Sequence, residues 1–331
     1  MQGFKKLYFN LFNNRNAKAD VAALAAQTDI NVIFPFYHIV SNEHVRHIKH
    51  LYTVKNIAEF NQDLEFLLLY FKPLHIDDYC SGNFNRSEKY FVLSFDDGLR
   101  EMAEIVKPLL LAKGIPAIFF LNSDFIDNKA LFFRYKVSLL IDTIATDRLA
   151  ENIAKHLPIK KVNIANPATY LMHLTWNDTA LIDTIADTSK FSFSDYLDNN
   201  KPYLTTQQIS DLIASGFAIG AHSVSHPLYS SIDPQLQFIQ TRDSMKSIAD
   251  QFNLQHKYFA FPFTADGVVK ELFDAMYNEL NIDLSFGTAG LKKQSRQKHI
   301  ERVPAELGNA PFEQILKNEF HYFHLKKMFG Q

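Results

Sequence analysis

The chain has 331 residues, 47% of them hydrophobic, enough to bury a sizeable core as one large domain or two smaller ones. Its 34 basic and 36 acidic residues leave a formal net charge of -2, which removes the electrostatic case for nucleic acid or an acidic membrane surface as a partner. Cys80 is the single cysteine, so the fold does not rely on an intrachain disulfide.

Residues 1–20 (MQGFKKLYFNLFNNRNAKAD) lack the continuous apolar core of a secretory signal, and no stretch approaches the roughly 18 apolar residues of a membrane span. A cytoplasmic protein without a transmembrane segment is the expectation; the sequence leaves the oligomeric state open. Short apolar runs follow at 32–37 (VIFPFY), 90–95 (YFVLSF), 117–121, 217–221, 258–261 and 282–286. They are apolar on both faces, as in strands covered on both sides. Helical patterns lie between them at 56–70, 100–113, 205–215, 234–252 and 268–280. Gly114 and Gly216 close two of these, and Thr205 with Gln208 has capping-box spacing. Alternation of strand and helix predicts an α/β fold.

One interval breaks the rhythm. Residues 126–202 contain no clear buried strand and read as a mainly helical insertion capping one end of the core. The expected organisation is an N-terminal extension (1–29), a main domain (30–310) carrying that insertion, and a helical tail (311–331). The short basic stretch at 292–298 (KKQSRQK) reads as a solvated loop.

Two motifs carry chemistry. Ser94-Phe95-Asp96-Asp97-Gly98 ends an apolar strand. Adjacent strand residues point in opposite directions, so one carboxylate can hold a metal while the other takes a proton. Read alone, the pair also suits an ordinary strand-to-helix turn with an Asp cap. His222-Ser223-Val224-Ser225-His226-Pro227 follows another buried run. Histidines four apart face the same way if the segment makes one helical turn, and imidazole suits zinc and similar ions. Read alone, they also suit a surface loop. Together the motifs offer two His and one Asp, the ligand count of an open, catalytic metal site.

These residues resemble the polysaccharide deacetylases, carbohydrate esterase family 4. SFDDG is similar to that family's TFDDG, HSVSHP to its H-S/T-x-x-H-P, and Phe259-Ala260-Phe261-Pro262-Phe263 to its F-A-Y-P-Y-G. Phe36-Tyr37-His38 matches the YH that opens many bacterial members, and the motifs occur in the family's order. The resemblance implies a distorted (β/α) barrel and metal-dependent removal of N-acetyl groups from a carbohydrate containing amino sugars. It assigns Asp97, His222 and His226 to a divalent metal, zinc by preference, and Asp96 to the general base. Pro262, Phe263, Thr264 and Arg302 are the expected substrate-binding residues.

Three positions depart from the family pattern. Ala260 stands where many members have an arginine bracing the base; Arg302, in Glu301-Arg302-Val303-Pro304, is the candidate to replace it or else forms a surface salt bridge. Thr264 replaces the glycine after the third motif. No late L-x-H motif supplies the acid. Among His299, His321, His324 and His38, His38 is preferred because it follows a buried strand. His44, His47 and His50 have spacing for a second metal but no carboxylate or thiol partner, and Trp176 and Tyr203 are candidates to stack on a sugar ring or to pack in the cap. Other readings stay open: hydrolysis of another amide or an O-acetyl ester, or carbohydrate binding without catalysis.

Overall fold

A computed structural model describes residues 20–146, 167–292 and 296–328. Parts of the expected N-terminal extension (1–19), insertion (147–166), basic stretch (293–295) and tail (329–331) lie outside the described residues. Helix α1 (Val21–Ala26) is capped by Asp20, whose side chain accepts the Ala22 N–H at 3.0 Å. The apolar run at 32–37 then divides into β1 (Val32–Ile33) and β2 (Pro35–Tyr37). Helix α2 (Ile57–Tyr70) starts from an Asn56–Glu59 capping box. Strand β3 (Lys72–Pro73) and helix α3 (Ile76–Ser81) lead to the run at 90–95, which divides in the same way into β4 (Tyr90–Phe91) and β5 (Leu93–Phe95). A π-helical turn (Met102–Val106) runs into α4 (Lys107–Lys113), which Gly114 ends in the left-handed conformation. Strand β6 (Ala117–Leu121) follows.

The insertion contributes α5 (Phe133–Thr146), α6 (Pro167–His173), α7 (Thr179–Thr188) and α8 (Phe193–Asn200). Regular alternation then resumes with α9 (Thr206–Ala214), whose Thr205–Gln208 capping box is formed, and β7 (Ala218–Ala221). Helix α10 (Pro234–Phe252), β8 (Tyr258–Ala260), α11 (Lys270–Asn278), β9 (Leu284–Gly287), β10 (His299–Glu301), β11 (Val303–Pro304) and α12 (Phe312–Met328) complete the chain. Among these helices none is long and apolar enough to cross a membrane.

The two divided runs feed different sheets. Their first halves pair with β3 in a three-stranded sheet, ordered β1-β4-β3. Their second halves join an eight-stranded parallel sheet, ordered β10-β9-β8-β7-β6-β5-β2-β11. The ends of this order, β10 and β11, are separated in sequence by Arg302 alone. One segment therefore pairs with β9 at its start and β2 at its end, which draws the sheet into a nearly closed barrel. Helices surround it, as the (β/α) barrel reading expects.

Two apolar layers result. Phe95, Phe119, Ile219 and Phe259 face the surrounding helices, and Phe34, Phe120, Tyr258, Ala260 and Phe286 cluster separately. Each such ring, fully buried, contributes about 1.5–3 kcal/mol. A third cluster joins the insertion (Phe132, Tyr135, Leu139, Ile182), and Tyr203 just after it, to Ile39, Ile48 and Leu99, so the added helices rest on the loops that leave the strands.

Arg302 sits at the closing seam and is fully buried. Its guanidinium donates to Asp96 Oδ1 and Oδ2, each at 2.7 Å, to Ser94 Oγ at 3.1 Å and to the Gly287 carbonyl at 3.2 Å. The rings of Phe36 and Phe120 lie 4.4 and 5.1 Å from its charge. Removing one member of such a pair leaves the other charge buried and uncompensated, at a cost of about 3–5 kcal/mol. Arg302→Met is expected to lose stability on that scale in chemical denaturation. A midpoint unchanged from wild type would show that the pair does not hold the seam.

Candidate active site

Asp96 and Asp97 leave the carboxyl end of β5. The Asp96 N–H still bonds the Tyr37 carbonyl (2.9 Å), continuing the pairing with β2. Asp97 then turns left-handed (φ 70°) and Gly98 repeats it (φ 65°). Asp tolerates this region better than most residues, and Gly98 has a second reason to be glycine: a Cβ there would lie 2.9 Å from Leu121 Cδ2. The turn sends the two carboxylates to different partners.

The histidine motif does not form the helical turn that would have aligned its side chains by periodicity. Residues 222–228 are an irregular loop in which Ser223 and His226 adopt positive φ (69° and 60°). Side chains satisfy its backbone instead. Gln240 Oε1 accepts from Val224 and Ser225 N–H at 3.0 and 3.1 Å, and Ser223 Oγ accepts from His226 N–H at 3.0 Å. Asn122 Nδ2 donates to the His222 carbonyl. This scaffold brings the rings together where a helix would have done so by periodicity.

The three expected ligands converge. His222 Nε2 and His226 Nε2 are 3.1 Å apart, and Asp97 Oδ1 lies 3.6 and 3.2 Å from them. All three side chains are buried. Asp97 Oδ1 accepts no hydrogen bond, an orphaned anionic oxygen facing two imidazole nitrogens. Its partner oxygen, Oδ2, accepts from the Tyr135 hydroxyl at 2.9 Å. His222 Nδ1 donates to the Ala260 carbonyl at 2.8 Å, leaving the Nε2 lone pair directed at the cluster. Burial, with His226 beside it, lowers the His222 pKa to about 4, so the ring is neutral and ready to ligate. An oxygen and two nitrogens with outer hydrogen bonds in place fit a divalent metal.

Asp96 lies beside this cluster, its Oδ2 3.9 Å from His222 Nε2. Burial alone would raise its pKa, but the Arg302 charge, then His222, hold it below the usual carboxylate range. Arg302 thus occupies the bracing position that Ala260 leaves vacant. It was also expected among the substrate-binding residues, and there the structure differs: full burial beneath Asp96 keeps its guanidinium out of reach of a bound ligand.

His38 follows β2 at the same barrel end, with its side chain 28% exposed. Glu306 holds it through three bonds: His38 Nδ1 at 2.6 Å, His38 N–H at 2.9 Å and Ile39 N–H at 3.1 Å. Burial works to lower the His38 pKa, and the Glu306 carboxylate overrides it, raising the pKa to about 9. Phe263, 40% exposed, packs edge-on against His226 with ring centroids 4.7 Å apart. Pro262 is buried beside it, and the Thr264 N–H is committed to the Pro262 carbonyl at 2.7 Å.

Other candidates fall elsewhere. His47 bonds Tyr196 and His50 bonds Asp142, so the 44–50 histidines do not converge. His299 is buried against Ser285, and His324 lies on α12 against the Leu24 carbonyl. Tyr203 is buried, stacking on Phe125, and Trp176 donates to Ser225 Oγ at 3.0 Å. Both therefore pack in the cap. The sequence reading missed Tyr135 and Glu306, which stand in no motif; only their contacts reveal them.

A family model described as polysaccharide deacetylase matches residues 84–283, more than half of the chain. No curated protein sequence matches. Among solved structures, the Streptococcus pyogenes deacetylase PplD in complex with acetate aligns with a TM-score of 0.57 at 15% identity, covering 88% of this chain and 99% of its own. IcaB from Ammonifex degensii gives 0.55 at 16% identity, covering 88% and 97%. A de-N-acetylase from Aggregatibacter actinomycetemcomitans gives 0.53 at 16% identity, covering 86% and 99%. At these identities the structural likeness establishes the fold.

Tyr135 donates a hydrogen bond from the insertion to the cluster. Outer hydrogen bonds of this kind change metal affinity by about 10–100-fold. Tyr135→Phe is expected to fold normally and to bind Zn2+ about tenfold more weakly in a chelator competition. Unchanged affinity would show that the hydroxyl does not orient Asp97.

Proposed function

The chain belongs to the polysaccharide deacetylase family, and from that premise we propose that it hydrolyses N-acetyl groups on an amino-sugar-containing carbohydrate. The observation that carries this reading is the convergence of Asp97, His222 and His226, with ionised Asp96 beside them at the carboxyl ends of the strands. Two imidazoles and a carboxylate favour zinc over magnesium or calcium. A divalent cation held by these three residues supplies a Lewis acid for the acetyl carbonyl and a water of lowered pKa.

The chain's own groups divide the remaining work. Asp96 accepts a proton from the attacking water, and Arg302 keeps it ionised and aimed. The Phe263 ring packs on His226, and the Phe263 N–H is the backbone donor assigned to stabilise developing oxyanion charge. His38 donates a proton to the departing amine. Its Nδ1 is occupied by Glu306, which leaves Nε2 as the donor. Phe263 and His38 are the partly exposed members of the site, so the sugar enters between them.

Metal analysis of the purified chain, followed by acetate release from a panel of N- and O-acetylated sugars, tests the reading. Zinc at the triad with release from N-acetylated substrates is expected. A metal-loaded chain that releases no acetate from any N-acetylated sugar would overturn it. His38→Ala is expected to retain metal and lose about 10²–10⁴-fold in turnover, the usual contribution of a general acid. Full activity in that variant would remove His38 from the role.

The pH dependence has a defined sign. Glu306 stabilises protonated His38, so Glu306→Gln lowers the His38 pKa. The acid is then lost at lower pH, and the alkaline limb of the rate profile moves down. Arg302→Lys, which keeps the charge and loses the two-pronged bond, weakens the opposite effect on Asp96. Its acid limb is expected to move up.

A further inference from the structure

At the opposite end of the barrel, three residues of metal-ligand type meet. Cys80 lies in α3, His256 just before β8 and Asp283 just before β9. One ligand atom from each lies within 4.8 Å of the other two. His256 Nδ1 and Asp283 Oδ2 are 3.6 Å apart. The deacetylase triad stands at the carboxyl ends of the strands, whereas this cluster stands at their amino ends. Strand β8 runs between the two, starting two residues after His256 and ending at the Ala260 carbonyl that accepts from His222.

The surroundings hold the cluster in place. Asp283 Oδ2 accepts the Lys257 N–H at 2.8 Å, and the Asp283 N–H returns to the Lys257 carbonyl at 2.9 Å. The His256 ring stacks on Tyr258 at 5.8 Å with an interplanar angle of 18°. The Tyr258 hydroxyl donates to Asp77 Oδ1 at 2.6 Å, which seats α3, and with it Cys80, against the start of β8. All three cluster residues are partly exposed, so an ion can reach them without the barrel opening.

We infer that Cys80, His256 and Asp283 form a second, non-catalytic binding site for a thiophilic divalent ion of the Zn2+ class. A thiolate and an imidazole favour zinc-like ions over magnesium or calcium. Bonds of about 2.0–2.3 Å set ligand atoms about 3.3–3.8 Å apart, so closure needs shifts of roughly 1 Å, which side-chain rotation supplies. Three protein ligands leave the fourth position to water. The bound ion ties α3 to the starts of β8 and β9, segments far apart in sequence, and so acts as a clip on this end of the barrel.

The ligand sets make the two sites separable, because the triad contains no sulfur. The test loads the metal-stripped full chain with Co2+ under reducing conditions and reads the thiolate-to-cobalt charge-transfer absorption. Wild type is expected to show this absorption, and Cys80→Ser to lose it while keeping its acetate release. His256→Ala, at a half-exposed position, is expected to fold and also to lose it. Mg2+ or Ca2+ in excess is expected to leave it unchanged. Absence of the absorption in wild type, or its persistence in either variant, overturns the site. The reading does not pass through the triad: His222→Ala must keep the absorption, and loss of it there also counts against a separate site. Failure of the deacetylase reading would show in acetate release and leave this signal untouched.

Discussion

The buried ion pair between Arg302 and Asp96 is the constraint on which the rest of this structure depends. A guanidinium with no exposure to water must have its charge and its donors answered, and here a two-pronged carboxylate, a hydroxyl and a backbone carbonyl do so. The residue providing it is the one on which the last strand changes partners, from β9 to β2. Barrel closure and orientation of the proposed base are therefore one arrangement. Each requires the other: an open seam would expose the guanidinium to water, and an absent guanidinium would leave Asp96 buried beside two imidazoles with its proton affinity raised.

Around that pair the site is built by division of labour between core and insertion. The barrel supplies Asp96, Asp97, His222, His226 and His38 from the ends of different strands, where turns can carry strained backbone. The insertion supplies what orients them. Tyr135 occupies one oxygen of Asp97, Phe132 packs on the His226 ring at 4.2 Å, and Trp176 holds the loop through Ser225. Outer contacts of this kind limit the rotation of each side chain, so the cluster is held in one arrangement. The same helices bury Tyr203, for which the sequence left open a sugar platform or packing in the cap.

Legibility in the sequence follows from how local each signal is. The helical patterns of α2, α9 and α10, and the cap signals at Gly114 and at Thr205 with Gln208, appear where the sequence places them, because periodicity and caps are properties of neighbouring residues. The runs at 32–37 and 90–95 look continuous, yet each bends at its middle and serves two sheets, since hydrophobicity does not reveal a change of strand partner. Strands β10 and β11 are too short for any pattern. They nevertheless carry Arg302, and its reach to Asp96 was only one of two readings available from the sequence. The histidine loop shows the reverse case. Its two histidines do converge, but not through the helical turn that their spacing would have needed; Gln240, Asn122 and Ser223 hold the loop, and none of that is encoded in the spacing of His222 and His226.

The sequence alone determined the α/β class, the motifs, and which carboxylate and imidazole residues belong together, because each motif is a short local string that leaves a strand. Tertiary structure decided what those residues touch. It buried Arg302 under Asp96 rather than leaving it at the surface, paired His38 with Glu306, brought Tyr135 from the insertion onto Asp97, and gathered Cys80, His256 and Asp283 at the far end. The reason is common to all four. Hydrogen bonds and charge pairs depend on distance in space, and the chain brings these groups together only by closing the barrel.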